Sequence, residues 1–263
     1  MARISLRLAA VAALLLVGTP RTAGADWDLS LFLGRAFPTF DERLTIRLPT
    51  VPPVPGLEVT PRGTPEIGTD GGPVYGVALA GEAGVIGIEG RLDVVDVDLD
   101  FTGAGYDLRL GGQTGSVTIG DTVFETDRLN LWSLNLRLRT PGPVSFVVSG
   151  GLSYLPSFDI SGTVPVEVDV PGLGGTAAQP RLVLTAAPEE SENKVGVNAG
   201  AALRFGGRVG LFIEGRVFYF KSYELRAEFD EAQPLVNLLV DEIDPIDFRP
   251  VIGNVVVGLF FRF

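Results

Sequence analysis

Apolar residues recur at every second position along most of this chain, in runs mostly of 9 to 14 residues broken by glycine and proline. A period of two places alternate side chains on opposite faces of a strand, so the pattern predicts β-structure nearly throughout. Eight segments carry it: Asp26–Phe37, Val74–Glu82, Val85–Phe101, Asp127–Arg139, Val144–Leu155, Lys194–Phe205, Arg208–Leu225 and Val251–Phe263. In the fourth, Trp132, Leu134, Leu136 and Leu138 alternate with Ser133, Asn135, Arg137 and Arg139. In the third, Ile86, Ile88, Leu92 and Val94 oppose Gly87, Glu89, Arg91 and Asp93. The apolar phase then changes to Val97, Leu99 and Phe101, and a β-bulge near Val94-Val95 is expected to produce the change.

The connections alternate in length. Ala83-Gly84, Thr140 to Pro143 and Gly206-Gly207 are short, whereas 38–73, 102–126, 156–193 and 226–250 are long. Short turns at one end and long loops at the other predict an all-β, eight-stranded, antiparallel up-and-down transmembrane barrel with four long extracellular loops. Ten strands remain open, because Thr163–Val170 and Leu182–Ala186 have the composition of a further pair. Only Glu231–Ile243 reads as helical, with Leu235, Val236, Leu238, Leu239 and Ile243 on one face, placed to pack over the loop-side mouth.

Composition changes the picture in three ways. Residues 1–25 read as a cleaved signal peptide: Arg3 and Arg7 precede an apolar run, Leu8–Val17, and Ala23-Gly24-Ala25 supplies small residues for cleavage. The barrel domain is then 26–263, with no later apolar stretch long enough for a membrane helix. The absence of histidine and cysteine removes His-based catalytic sites, His-ligated zinc and thiolate chemistry, and no cofactor is expected. The mature chain carries 18 basic against 32 acidic side chains, a poor balance for nucleic acid.

Alternation alone does not say whether the apolar face meets lipid or an enclosed cavity, and a soluble lipocalin-like carrier has the same period with its faces reversed. The polar face here is rich in Gly, Ala, Ser and Asn, which suits the crowded interior of a narrow barrel. Aromatics lie toward both ends of the apolar face: Trp27, Phe205 and Phe263 at one, Phe37, Tyr154 and Tyr219 at the other. The last strand reaches the chain end with Leu259, Phe261 and Phe263 in phase. With the leader and this ending, the chain resembles the small bacterial outer-membrane β-barrels of the OmpA, OmpX and OmpW type. That resemblance implies outer-membrane lipid and the barrel-assembly machinery as partners, with Leu259, Phe261 and Phe263 as the assembly signal.

The candidate chemistry lies on the inward face. Glu89, Arg91 and Asp93 neighbour Arg137 and Arg139, and Glu214 and Arg216 neighbour Arg204. Buried charges need partners, and arginine's planar fork suits carboxylates. Salt bridges plugging the lumen are the favoured reading; a gated path for small solutes or hydrophobic molecules, of the OmpW kind, is the alternative. Asp93, Asp96, Asp98 and Asp100 read as a solvated strand extension, with calcium as the other use of such spacing. A structural or surface-interaction role without enzymatic activity is therefore expected, and the sequence names no ligand for the loops.

Overall fold

Eight alternating strands pair edge to edge and close on themselves in a computed structural model of the chain. It describes residues 26–39, 41–43, 46–47, 55–125, 128–156, 161–169, 181–186, 194–229, 242–243, 246–248 and 250–263. The barrel strands are β1 (Asp26–Thr39), β2 (Glu66–Ala83), β3 (Ile86–Thr102), β4 (Leu129–Arg139), β5 (Val144–Leu155), β6 (Lys194–Gly206), β7 (Val209–Phe220) and β8 (Val251–Arg262). Each is antiparallel to its sequence neighbours, and β8 returns to β1 from Asp28↔Arg262 to Thr39↔Val251. Closure satisfies the backbone donors and acceptors that an open sheet edge would leave unpaired. Gly84 and Gly206, at φ 69° and 131°, supply the positive dihedrals that the short turns require.

The ten-strand alternative is not adopted. Ser161–Asp169 and Arg181–Ala186 do pair, but within a separate seven-stranded sheet beside Gln113–Ile119 and Tyr223–Phe229. The long connections thus carry strands of their own. Tyr223–Phe229 belongs to that sheet, so the seventh barrel strand ends at Phe220 instead of reaching Leu225. Of the predicted helix, Glu242–Ile243 is instead a short strand against Ile46–Arg47, and the rest lies outside the described residues. Residues 1–25, read as the leader, also lie outside them.

The bulge expected in β3 lies in β2. Along β3 the odd-numbered residues from Gly87 to Phe101 face inward without interruption. What changes is their chemistry: Glu89, Arg91 and Asp93 are followed by Val95, Val97, Leu99 and Phe101. The register shift falls on β2, where Gly71 opposes Val97 and Val74 opposes Val95. Two residues, Gly72 and Pro73, therefore stand against one, and β2 changes which parity faces inward, from Ile67 above to Val74 and Ala78 below. A side chain at Gly72 has no room, because its Cβ would lie 1.9 Å from the Asp96 carbonyl oxygen. Gly72→Ala is expected to cost about 1–3 kcal/mol by forcing β2 from β3, measured by urea unfolding in detergent. An unchanged midpoint would show that the bulge yields freely.

Candidate functional site: a filled lumen

The barrel wall is apolar on the outside. Leu31, Leu134, Leu136, Val197, Leu211 and Val257 are among many large hydrophobic side chains left exposed around the circumference. Trp27, Phe205, Phe261 and Phe263 ring the short-turn end, and Phe37, Tyr75, Trp132, Tyr154 and Tyr219 ring the other. On β1 the ten steps from Trp27 to Phe37 climb roughly 33 Å along the strand at ~3.3 Å per residue. At a tilt near ~40° this is about 25 Å of height, the thickness of an apolar belt in a transmembrane barrel. A groove of about 610 Å³ on the outer wall, lined by Leu31, Leu33, Tyr75, Leu92, Val257 and Leu259, lies within this belt.

Inside the belt the alternation delivers charge. Arg91 grips Asp93 with two hydrogen bonds, Nε to Oδ2 at 2.7 Å and Nη2 to Oδ1 at 2.9 Å, and donates Nη1 to Glu214 at 2.8 Å. Arg216 donates Nε to Glu214 at 2.7 Å and Nη2 to both Glu89 and Ser149, while its Nη1 binds Asn198. Asn198 donates on to Asn135 and Ser153, Asn135 donates to Glu89, and Asn254 donates to Asp93. These contacts connect β3, β4, β5, β6, β7 and β8 across the lumen. Charge-assisted hydrogen bonds with this many partners offset the desolvation that buried ions otherwise suffer.

Nearer the short turns, Asp28 collects three guanidiniums: Arg204 at 2.7 Å, Arg262 at 3.1 Å and Arg137 at 3.4 Å. Glu82 holds Arg139 at 2.5 Å and Arg137 at 3.1 Å, the latter contact lacking hydrogen-bond alignment. Rings close the remaining space. Phe32 lies under the Arg91 guanidinium at 4.0 Å and edge-on to Phe212, and Phe260 lies under Arg204 at 3.8 Å. Glycine makes room for those rings: a Cβ at Gly76 would strike Phe32, and one at Gly258 would strike Phe212.

Toward the long loops the interior becomes apolar. Leu131, Leu155, Phe218, Phe220 and Ile252 continue the inward phase of their strands above the charged layer. Ile67, Leu99, Phe101 and Phe124 extend that core among strands paired beyond the belt, joined by Ile119, Val164 and Val166 from the loop sheet. The outer face there is acidic: Asp96, Asp98 and Asp100 point outward, and Arg128 pairs with Asp96 at 2.9 Å. The polarity of the barrel thus inverts along its height.

Asp93 does not join the three outward aspartates, because its odd position turns it into the lumen. Desolvation first, then Asp70 and Asp98, push the Asp100 carboxyl above the ordinary carboxylate range. A folded-state pKa above the unfolded one contributes stability that is present at low pH and lost as pH rises through the folded value. Hydrogen exchange on the outer half of β3 is therefore expected to be slower, relative to Asp100→Asn, near pH 4 than near pH 7, after correction for intrinsic rates. A difference of opposite sign would remove the repulsion from the account.

All eight charges picked out in the sequence, Glu89, Arg91, Asp93, Arg137, Arg139, Arg204, Glu214 and Arg216, take part in this interior network. Arg137 meets Glu89 on the neighbouring strand as expected, but Arg139 turns to Glu82, Arg91 and Arg216 reach across the lumen to Glu214 and Glu89, and Arg204 reaches across to Asp28 instead of Glu214 beside it. Sequence reasoning passed over Asp28, Glu82, Arg262 and the three asparagines. Their inward phase was available as a signal; their convergence from opposite walls was not.

An eight-stranded, closed antiparallel barrel, apolar outside and polar within, defines the class: this is the architecture of a small transmembrane β-barrel of the outer-membrane type. No family model matches the chain, and no curated protein matches it either. Among solved structures it is similar to the crystal structure of the outer membrane protein OprG from Pseudomonas aeruginosa, with 11% identity and a TM-score of 0.45. That alignment covers 91% of this chain and 96% of the other.

Proposed function

We propose that this chain is exported to a bacterial outer membrane and works there as a sealed barrel, structural or surface-interacting, and not as a solute channel. The filling of the lumen carries the reading. Above the ion-pair layer Phe218, Phe220, Leu131 and Ile252 are buried in contact-rich apolar packing. Within the layer the cavity is only about 20 Å³, room for one small sphere and not for a solute path. A barrel of eight strands has an interior just wide enough for its own side chains.

On this reading the long-loop end faces the exterior, the short turns and both ends of the mature chain face the periplasm, and lipid covers the apolar belt. Leu259, Phe261 and Phe263 occupy the last turn-side stretch of β8, where the assembly machinery would meet them. Purified protein in a planar bilayer is expected to show no discrete conductance steps. Reproducible, solute-dependent currents would favour the conduit reading instead. Membrane fractionation with heat-modifiable gel mobility checks the location, and recovery from the soluble periplasm without detergent would sink it in favour of a soluble carrier.

A further inference from the structure

The cavity inside the charged layer is lined by Arg91, Arg137 and Arg204 against Glu89 and Glu214, with Ser30 beside them. Counted with their ion-pair partners, six guanidiniums (Arg91, Arg137, Arg139, Arg204, Arg216 and Arg262) face five carboxylates (Asp28, Glu82, Glu89, Asp93 and Glu214), one positive charge in excess, and three of the former and two of the latter line the cavity. Four of these five charged groups meet other partners at several atoms: Arg91 with Asp93 and Glu214, Arg137 with Asp28, Glu82 and Glu89, and the two glutamates with Arg216. Arg204 differs. Its Nη1 donates to Asp28, but among the described residues Nε and Nη2 have no hydrogen-bond partner, although the side chain is only 3% exposed. Its stacking on Phe260 at 3.8 Å fixes the guanidinium plane, so those donors have little freedom to turn elsewhere.

Guanidinium groups donate only, so what satisfies them must accept. A water molecule accepts two hydrogen bonds and leaves the excess charge in a low-dielectric interior, where an uncompensated charge is costly. A monatomic anion accepts from several directions and cancels that charge. At about 20 Å³ the space suits one such sphere and excludes carboxylate, phosphate and sulfate groups. We infer that the lumen holds a single small monovalent anion, of the size of chloride, against the free edge of Arg204. This site is independent of the sealed-barrel role, since bilayer currents report on passage whether or not an ion is bound.

Because the cavity lies deep within the packed lumen, loading is tested by unfolding the purified protein in urea and refolding it into detergent with the chosen salt. Crystals of protein refolded in sodium bromide are expected to show an anomalous peak in the cavity beside Arg204. The cavity without an anomalous peak in those crystals would overturn the inference. Refolded in sodium chloride, the protein should lose its folded gel mobility at a temperature about 3–5 °C higher than in sodium gluconate of equal ionic strength. Arg204→Lys keeps a cation for Asp28 without the second donor edge and should abolish that difference. Equal temperatures in the two salts for the unaltered protein, or a full difference in the Lys variant, would count against the site. Should the Lys variant fail to fold, the bromide crystals of the unaltered protein decide.

Discussion

Arg216→Ala should lower the unfolding free energy by about 3–5 kcal/mol while leaving the barrel closed to ions. The guanidinium is among the largest fully buried side chains and serves Glu214, Glu89, Ser149 and Asn198 together. Removing it leaves Glu89 and part of Glu214 without their strongest counter-charge, and that uncompensated burial dominates the loss. Space is also vacated against Gly200, whose position a Cβ would take at 3.1 Å from the guanidinium carbon. Conductance should nonetheless stay absent, because Phe218 and Ile252 lie one inward step above and close the lumen independently. In a double-mutant cycle, Arg216→Met with Glu214→Gln should lose less than the sum of the two single changes by about 1–3 kcal/mol, as expected for groups in one network. Additive losses would dissolve the network into separate contacts. Ion currents from Arg216→Ala would mean that the charged layer alone seals the barrel.

How much of this could be read beforehand depends on what alternation encodes. Parity fixes which residues share a face, so Arg137 with Asn135 and Ser133, or Val257 with Leu259 and Phe261, were correctly grouped from the sequence. Strand count followed from the turn pattern, because Gly84 and Gly206-Gly207 mark tight reversals that few other residues allow. Parity does not say which face is which, and it does not say whether one face keeps its chemistry along the strand. In β3 a change from Asp93 to Val95 on the same inward face imitates a change of phase. Only the opposite strand resolves the ambiguity, since the real extra residue is at Gly72-Pro73 on β2. The pairing of Arg204 with Asp28 was hidden for a related reason. These residues are 176 apart, and only barrel closure brings β6 opposite β1.

The inversion of polarity has a physical cause that yields the sharpest test of where the membrane lies. Within a bilayer, the outer wall meets hydrocarbon and polar groups are driven inward; beyond it, the wall meets water and the interior becomes the apolar refuge. The same outward row on β4 samples both regimes: Asn130 stands above Trp132, and Leu134 and Leu136 stand below it. Leu134→Arg is expected to destabilise the barrel in lipid vesicles by about 2–4 kcal/mol, since a charge near the bilayer midplane has no inexpensive route to water. Asn130→Arg, two pairs of residues higher on the same face, should cost less than about 1 kcal/mol, as at an interface. Both positions are exposed and outward, so packing against the lumen does not separate them; depth in lipid does. Reversible unfolding in urea from vesicles measures each difference. Equal, small penalties at both would place Leu134 in water and reverse the assignment of the faces, turning the apolar belt into a surface that needs some other cover.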